Sequence, residues 1–439
     1  MQYWSGGIAL EKTKSRKLPV SFESSISLER TTKVAKSKDQ SGGKGQVWEF
    51  IAIATVPLVL VLGNSLLVPI LPLMMDKLGI SKGQSSLVIT LFSVAAAIFI
   101  PVSGYLSDRF TRKTVLVPSL ILFGLAGILA GFGAIWKSYT IIIIARAIQG
   151  IGAAGTSSIA MALVGDMYKG ATESRALGLT EAANGTGKVV SPILGSLLAI
   201  WSWYAPFFAF PIFCLLSLLA ILFLIKEPKR NQKPPSLKSY LNDIKSNLKE
   251  KGRWLITAFF AGSLSLFVLF GVLFYLSNIL EKPPYSIIGV LKGAILAIPL
   301  LGMVVTSYIT GSRIKKNGKL MRLLMNIGLA LMTVSLALSI FLFRNLYVFI
   351  GLLTLSSIGT GLLLPCLNTM ITGSVEKSQR GMITSLYNSL RFLGVAAGPP
   401  LFSWMMDRSN PLVFITVSSL SLIALGLVFF LIKPEAEVA

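Results

Sequence analysis

The chain has 439 residues, 53% of them hydrophobic and only 13% charged, with a mean hydropathy of +0.73. Soluble domains carry about 25% charged residues, so the deficit and the repeated apolar runs of span length point to an integral membrane protein. The formal net charge of +23 would suggest nucleic acid in a soluble protein, but here it is first weighed against membrane topology. There is no histidine, which excludes histidine acid–base work and zinc chemistry, and the two cysteines, Cys214 and Cys366, lie in apolar runs without metal-ligand spacing.

In chain order, residues 1–46 read as a disordered basic cytoplasmic tail, rich in Ser, Lys and Gly. They lack the apolar core and small-residue cleavage site of a signal peptide. Twelve spans are expected at about 50–73, 85–106, 115–136, 139–164, 175–200, 204–225, 254–279, 286–310, 321–343, 346–371, 380–405 and 411–432. Strand-sized alternation is absent, so the expected fold is an all-α integral membrane bundle and not a barrel. The polar stretch 226–253 divides the spans six and six and is expected to be a cytoplasmic linker. Beyond Pro234 and Pro235 it can form an amphipathic helix. The domains are therefore two six-helix bundles, 47–225 and 254–433, with 434–439 as a cytoplasmic C-terminus.

Thirty-one of the 41 basic residues flank the spans on one side, namely the tails and the loops after even-numbered spans. This asymmetry places both termini in the cytoplasm and explains most of the basic excess without nucleic acid; the plasma membrane is the expected location. Gly104 and Gly311, Gly152 and Gly359, Gly187 and Gly394, and Pro192 and Pro399 are each 207 residues apart, on spans 2 and 8, 4 and 10, and 5 and 11. One offset shared by three span pairs indicates two pseudo-symmetric halves. Parallel halves of this kind place a substrate site at their interface near the bilayer midplane.

Three motifs carry chemistry. GYLSDRFTRKTVL, 104–116, forms a tight turn between spans 2 and 3. Its charges can pair with each other or with helix ends and part when the halves rock, or can serve only as a positive-inside loop. ARAIQGIGAAG, 145–155, contains G-x-G-x-x-G, but it follows no strand and lies within an apolar helix. Its small residues therefore read as a close helix contact rather than a nucleotide site. TEAANGTGKVVSP, 180–192, puts Glu181, Asn184 and Lys188 within about 60° on one helix face.

These stretches together resemble the major facilitator superfamily, and in particular its twelve-helix drug:proton antiporters, over roughly residues 48–433. Gly104, Leu106, Asp108, Arg109, Arg112 and Lys113 match the gating-loop signature, with Thr111 in place of a glycine. The second copy, 311–319, has Lys315 where the aspartate would be. Arg146, Gln149 and Gly150 match the R-x-x-q-G pattern, which the resemblance links to proton coupling; a structural arginine bonded to carbonyls is the alternative. Gly187, Pro192 and Gly195 match the antiporter motif, with Ser191 and Ser196 replacing two glycines. Asn64 and the PILP at 69–72 resemble span 1 of proton-driven efflux carriers. The resemblance implies export by alternating access.

Ionisable groups inside spans are functional candidates by default because burying them is costly. Glu181 is the one acid read as lying well inside a span, and it is the candidate proton-coupling residue with Arg146. A static Glu181–Lys188 bridge is the alternative. The stripe Thr384, Asn388, Arg391 on span 11 mirrors that on span 5, so Asn64, Asn184, Lys188, Asn388 and Arg391 are expected to line one cavity. Arg146, Lys188, Arg391 and Lys292 against one glutamate favour an anionic, oxygen-rich solute. The expected function is a proton-coupled exporter of a small organic solute or drug, acting as a monomer with no cofactor besides the proton. The alternatives are a siderophore or metabolite exporter, an importer or facilitator, and a non-transporting sensor. No nucleophile–base set suggests an enzyme.

Overall fold

The computed structural model describes residues 43–168, 170–227, 237–314, 317–373 and 377–433. Residues 49–439 form one compact unit; of the preceding unit, 1–48, only the start of the first helix is described. The expected linker residues 228–236, Lys315, and the C-terminus from 434 lie outside the described residues, as does the N-terminal tail up to residue 42.

The first half holds α1 (Gly43–Ser65), a 3-10 turn (Val68–Ile70), α2 (Leu71–Leu78), α3 (Lys82–Arg109), α4 (Arg112–Ile135), α5 (Tyr139–Ala154), α6 (Ser157–Met167), α7 (Gly170–Trp201) and α8 (Ala205–Leu224). The second half holds α9 (Leu237–Leu280), α10 (Gly289–Ile314), α11 (Gly318–Leu342), α12 (Leu346–Gly373), α13 (Lys377–Met406) and α14 (Asn410–Leu431). Helix is the only extended secondary structure among the described residues. Among the described residues, ten segments are long and apolar enough to cross a membrane. α7 and α13 are as long, 32 and 30 residues, but carry the polar stripes and so are less apolar. They complete the twelve expected spans.

Three element boundaries depart from the sequence reading. Span 1 breaks into α1, the 3-10 turn and α2, because Pro69 and Pro72 cannot donate to the helical ladder. Span 4 breaks between α5 and α6, where Gly155 and Thr156 leave the helical conformation. The segment expected as linker up to 253 is helical from Leu237, and α9 runs without interruption to Leu280.

The halves meet along two seams, α3 against α13 and α7 against α10. On the first, Thr90 Oγ1 donates to the Ala396 carbonyl at 2.8 Å and Ser389 Oγ donates to the Ala97 carbonyl. On the second, Gly185 abuts Val304 and Gly293 abuts Pro192 and Ile193. Beyond Gly178 and Gly311 there is open space among the described residues. α7 and α10 therefore diverge toward the end of the bundle that carries the 104–116 loop, and close together at the other.

Small residues permit the packing inside each half. A Cβ on Gly152 would lie 2.7 Å from the Phe123 nitrogen and 2.8 Å from the Ser119 carbonyl. Its counterpart Gly359 packs in the same way onto Gly328 of the preceding span. The glycines of 145–155 thus make helix contacts, as the apolar context of the motif predicts. Cys214 and Cys366 are buried free thiols.

Candidate functional site

The polar stripes of α7 and α13 face one cavity of about 200 Å³ between the halves. Glu181, Asn184 and Lys188 line it from α7, and their counterparts at an offset of 207, Asn388, Arg391 and Val395, line it from α13. Asn64 contributes from α1, Ser158 from α6, and Asn368 and Thr372 from α12. Leu60, Val61, Leu266 and Phe270 supply apolar wall. All five substrate-cavity residues expected from sequence are therefore brought together. Ser158, Asn368 and Thr372 were not foreseen, because their isolated polar side chains fall on otherwise apolar helices.

Glu181, expected to be buried well inside a span, is instead exposed at the cavity's open end, and the chain deepens from it toward Lys188. Seven residues of helix correspond to about 10 Å of rise, which explains why the two make no ion pair. The ion pairs among the described residues are Lys82–Asp407, Arg112–Asp108, Arg112–Asp166 and Lys292–Glu281. Lys188, Arg391 and Glu181 belong to none of them. Arg391 makes one long hydrogen bond, 3.3 Å from Nη1 to Asn388 Oδ1, and its guanidinium lies 5.3 Å from the Tyr387 ring centroid. That ring is itself stacked on Phe259 at 5.8 Å. Asn184 Oδ1, Thr384 Oγ1, Tyr387 OH and Arg391 Nε are buried without a hydrogen-bond partner among the described residues. All four residues line the cavity. Such atoms are uncommon in folded proteins, and four of the nine among the described residues fall on this wall.

Two expected contributors to the cavity's charge lie elsewhere. Arg146 is fully buried in the first half and is not part of the cavity wall. Its Nε donates to the Val88 carbonyl at 2.9 Å, its Nη1 to Gln149 Oε1 and its Nη2 to Asn64 Oδ1 at 3.0 Å, and the guanidinium lies over Phe92. Asn64 in turn donates to Ser93 Oγ at 3.0 Å. Arg146 thus reaches the cavity only through Asn64. Lys292 sits at the closed end, bonded to the Pro69 carbonyl and to Glu281. The charges on the cavity wall are two cations, one from each half, and one carboxylate.

The 104–116 loop is held within the first half by the bonds of its basic residues. Arg112 pairs with Asp108 at 2.8 Å and with Asp166 at 2.9 Å, and donates to Ser107 Oγ at 2.7 Å. Lys113 Nζ donates to the carbonyls of Leu222 and Ile225, and Arg109 Nη1 to Tyr105 OH at 3.2 Å. Glu227, just past α8, accepts from the backbone nitrogens of Arg112 and Lys113. Thr111 occupies an extended N-cap position, φ −126°, and its side chain accepts from the Thr114 nitrogen. The glycine of the resembled signature is therefore not required for this turn. Gly104 lies against Ser385 on α13 across the seam. Replacing Glu227 by alanine removes an anionic cap from the N-terminus of α4, worth about 1 kcal/mol. A lower midpoint of thermal unfolding in detergent checks this.

The antiporter-motif residues pack α7 against span 1. Gly187 meets Leu58 and Val61, Gly195 meets the Leu66 carbonyl and Pro69, and Ser191 Oγ donates back to the Gly187 carbonyl. Pro192 lies in the same stretch, beside Gly293 of α10.

The chain is 45% identical over 394 residues to the bacillibactin exporter of Bacillus subtilis (strain 168), covering 88% of this chain and 98% of that protein. It is 27% identical over 394 residues to the class C tetracycline resistance protein of Escherichia coli, covering 85% and 94%. The crystal structure of the human organic anion transporter MFSD10 superposes with a TM-score of 0.69 at 21% identity, covering 87% of this chain and 99% of that one, a likeness of fold. The sequence profile of the Major Facilitator Superfamily matches residues 53–336 and 291–439. With two six-helix halves around a shared polar cavity, the chain is a multi-pass membrane transporter belonging to the Major Facilitator Superfamily.

Proposed function

We propose that the protein is a monomeric plasma-membrane exporter that carries a small organic anion outward in exchange for protons, by alternating access of the central cavity. The observation that supports this most is the charge pattern of the cavity. Lys188 and Arg391 face it from opposite halves without a carboxylate partner among the described residues. An unpaired charge at the centre of a helix costs roughly 2.5–3.5 kcal/mol on insertion scales. An anionic solute offsets that cost, and a bidentate guanidinium contact adds orientation. The unpartnered atoms of Asn184, Thr384, Tyr387 and Arg391 favour a solute carrying both hydrogen-bond donors and acceptors.

Glu181, the carboxylate on the cavity wall, is the proton carrier in this reading, and Arg146 holds Asn64 in the cavity wall. The relatives named as a bacillibactin exporter and as resistance proteins support outward transport. Bacillibactin is therefore the first solute to test, and both termini are taken as cytoplasmic from the basic flanks. The direct experiment loads inverted vesicles with purified protein and follows bacillibactin under an imposed pH gradient. Accumulation in the lumen supports export. Flux only in the opposite sense would make the protein an importer of the same fold.

A further inference from the structure

The closed end of the bundle is held by contacts that none of the cavity residues make. Span 1 breaks at Val68–Ile70, which holds Pro69 and is followed by Pro72, and non-helical backbone at membrane depth has to find its hydrogen-bond partners elsewhere in the protein. Besides the Leu71 N–H, which donates to the Val68 carbonyl, partners come from the other half. Ser277 Oγ of α9 donates to the Val68 carbonyl at 3.0 Å. Lys292 Nζ of α10 donates to the Pro69 carbonyl at 2.6 Å and is neutralised by Glu281 at 2.7 Å. Lys292 is 1% exposed. The next residue, Gly293, lets α10 approach α7: a Cβ there would lie 2.7 Å from Ser196 Oγ and 2.9 Å from the Ile193 Cα. At the same end Lys82, at the start of α3, pairs with the exposed Asp407 beyond α13.

We infer that Lys292, with Glu281 and Ser277, is the gate that closes the solute path opposite the cavity mouth, latching the second half onto the carbonyls exposed by the break in span 1. Opening this end removes the Ser277 donor from the Val68 carbonyl, leaving it the Leu71 N–H, and separates a buried ammonium from the Pro69 carbonyl, one of its two acceptors, so the latch favours the closed arrangement. The Lys82–Asp407 pair adds little, because one partner is exposed. Lys292 is a positioning residue: it touches no part of the cavity and acts on which end of the path is open. The inference rests on the alternating-access reading, but its test reads the closed end itself and needs neither solute nor proton gradient.

The experiment places a reporter thiol at Ser196→Cys in the full-length protein, purified in detergent, and measures its rate of modification by a maleimide. The buried native Cys214 and Cys366, away from the gate, are the internal controls. In the Ser196→Cys background, Lys292→Met is expected to raise labelling at 196 by about threefold or more, as a shift of a two-state equilibrium toward the open form. The native cysteines are expected to stay protected. Ser277→Ala, which removes one neutral hydrogen bond, is expected to act in the same direction but less. The double variant Lys292→Met/Glu281→Gln, which leaves no orphaned charge, is expected to match Lys292→Met. Unchanged or slower labelling at 196 in Lys292→Met and in the double variant overturns the inference. Labelling that rises equally at 196, 214 and 366 also overturns it, because that pattern reports loosening of the whole fold.

Discussion

Replacing Glu181 by glutamine is expected to stop a pH gradient from driving export while leaving downhill flux of the solute in place. Glutamine keeps the size and polarity of the side chain but cannot exchange a proton. Among the residues that line the cavity, Glu181 is the acid, so no neighbouring carboxylate there can take over. In the proposed exchange the Glu181 side chain carries the proton, while Lys188 and Arg391 hold the solute's acid group. Uphill export in Glu181→Gln should fall by about tenfold or more, and rates with and without the gradient should become equal. The check is initial-rate transport in proteoliposomes with and without an imposed pH difference, on protein that elutes as a single species. Gradient-driven export at the wild-type rate would remove Glu181 from the coupling.

Neutralising the cations should act on solute affinity rather than on coupling. Lys188→Met and Arg391→Met each remove one charge-assisted contact, worth about 1.5–3 kcal/mol where the partner is ionised, or roughly ten- to hundredfold in apparent affinity. Arg391 should show the larger loss for a carboxylate, because its fork can bind both oxygens. Both variants should remain folded, since neither cation takes part in an ion pair among the described residues. The readout is the concentration dependence of transport: a raised KM with kcat little changed is expected for each. Their combined effect should fall short of the product of the single effects, because both act on one acid group.

The architecture was readable because membrane helices declare themselves by length and apolarity, and the two halves by one repeated offset. That same offset, applied to Glu181 and Asn184, pointed to Asn388 and Arg391, and the four do line one cavity. What local sequence could not supply was the destination of each long side chain. Lys292 reads from its helix as another cation near the cavity, yet it ends on a carbonyl 223 residues away, freed by a break that only PILP hints at. Arg146 likewise reads as facing the solute, but Val88, Gln149 and Asn64 absorb its donors inside the first half. Asp166 and Glu227 hold the 104–116 loop from two other spans, and neither lies in the motif itself. In each case the deciding contact joins residues far apart in sequence. Removing Arg146 and Lys292 from the cavity cuts the expected excess of three cations to one and leaves one cation on each half.

The most direct measurement of the central claim is paired transport of two solutes of matched size and shape, one anionic and one cationic, in proteoliposomes under the same pH gradient. The expected result is gradient-driven transport of the anion, lost in Lys188→Met/Arg391→Met, with little transport of the cation. Preference for the cation in the unaltered protein would contradict the account.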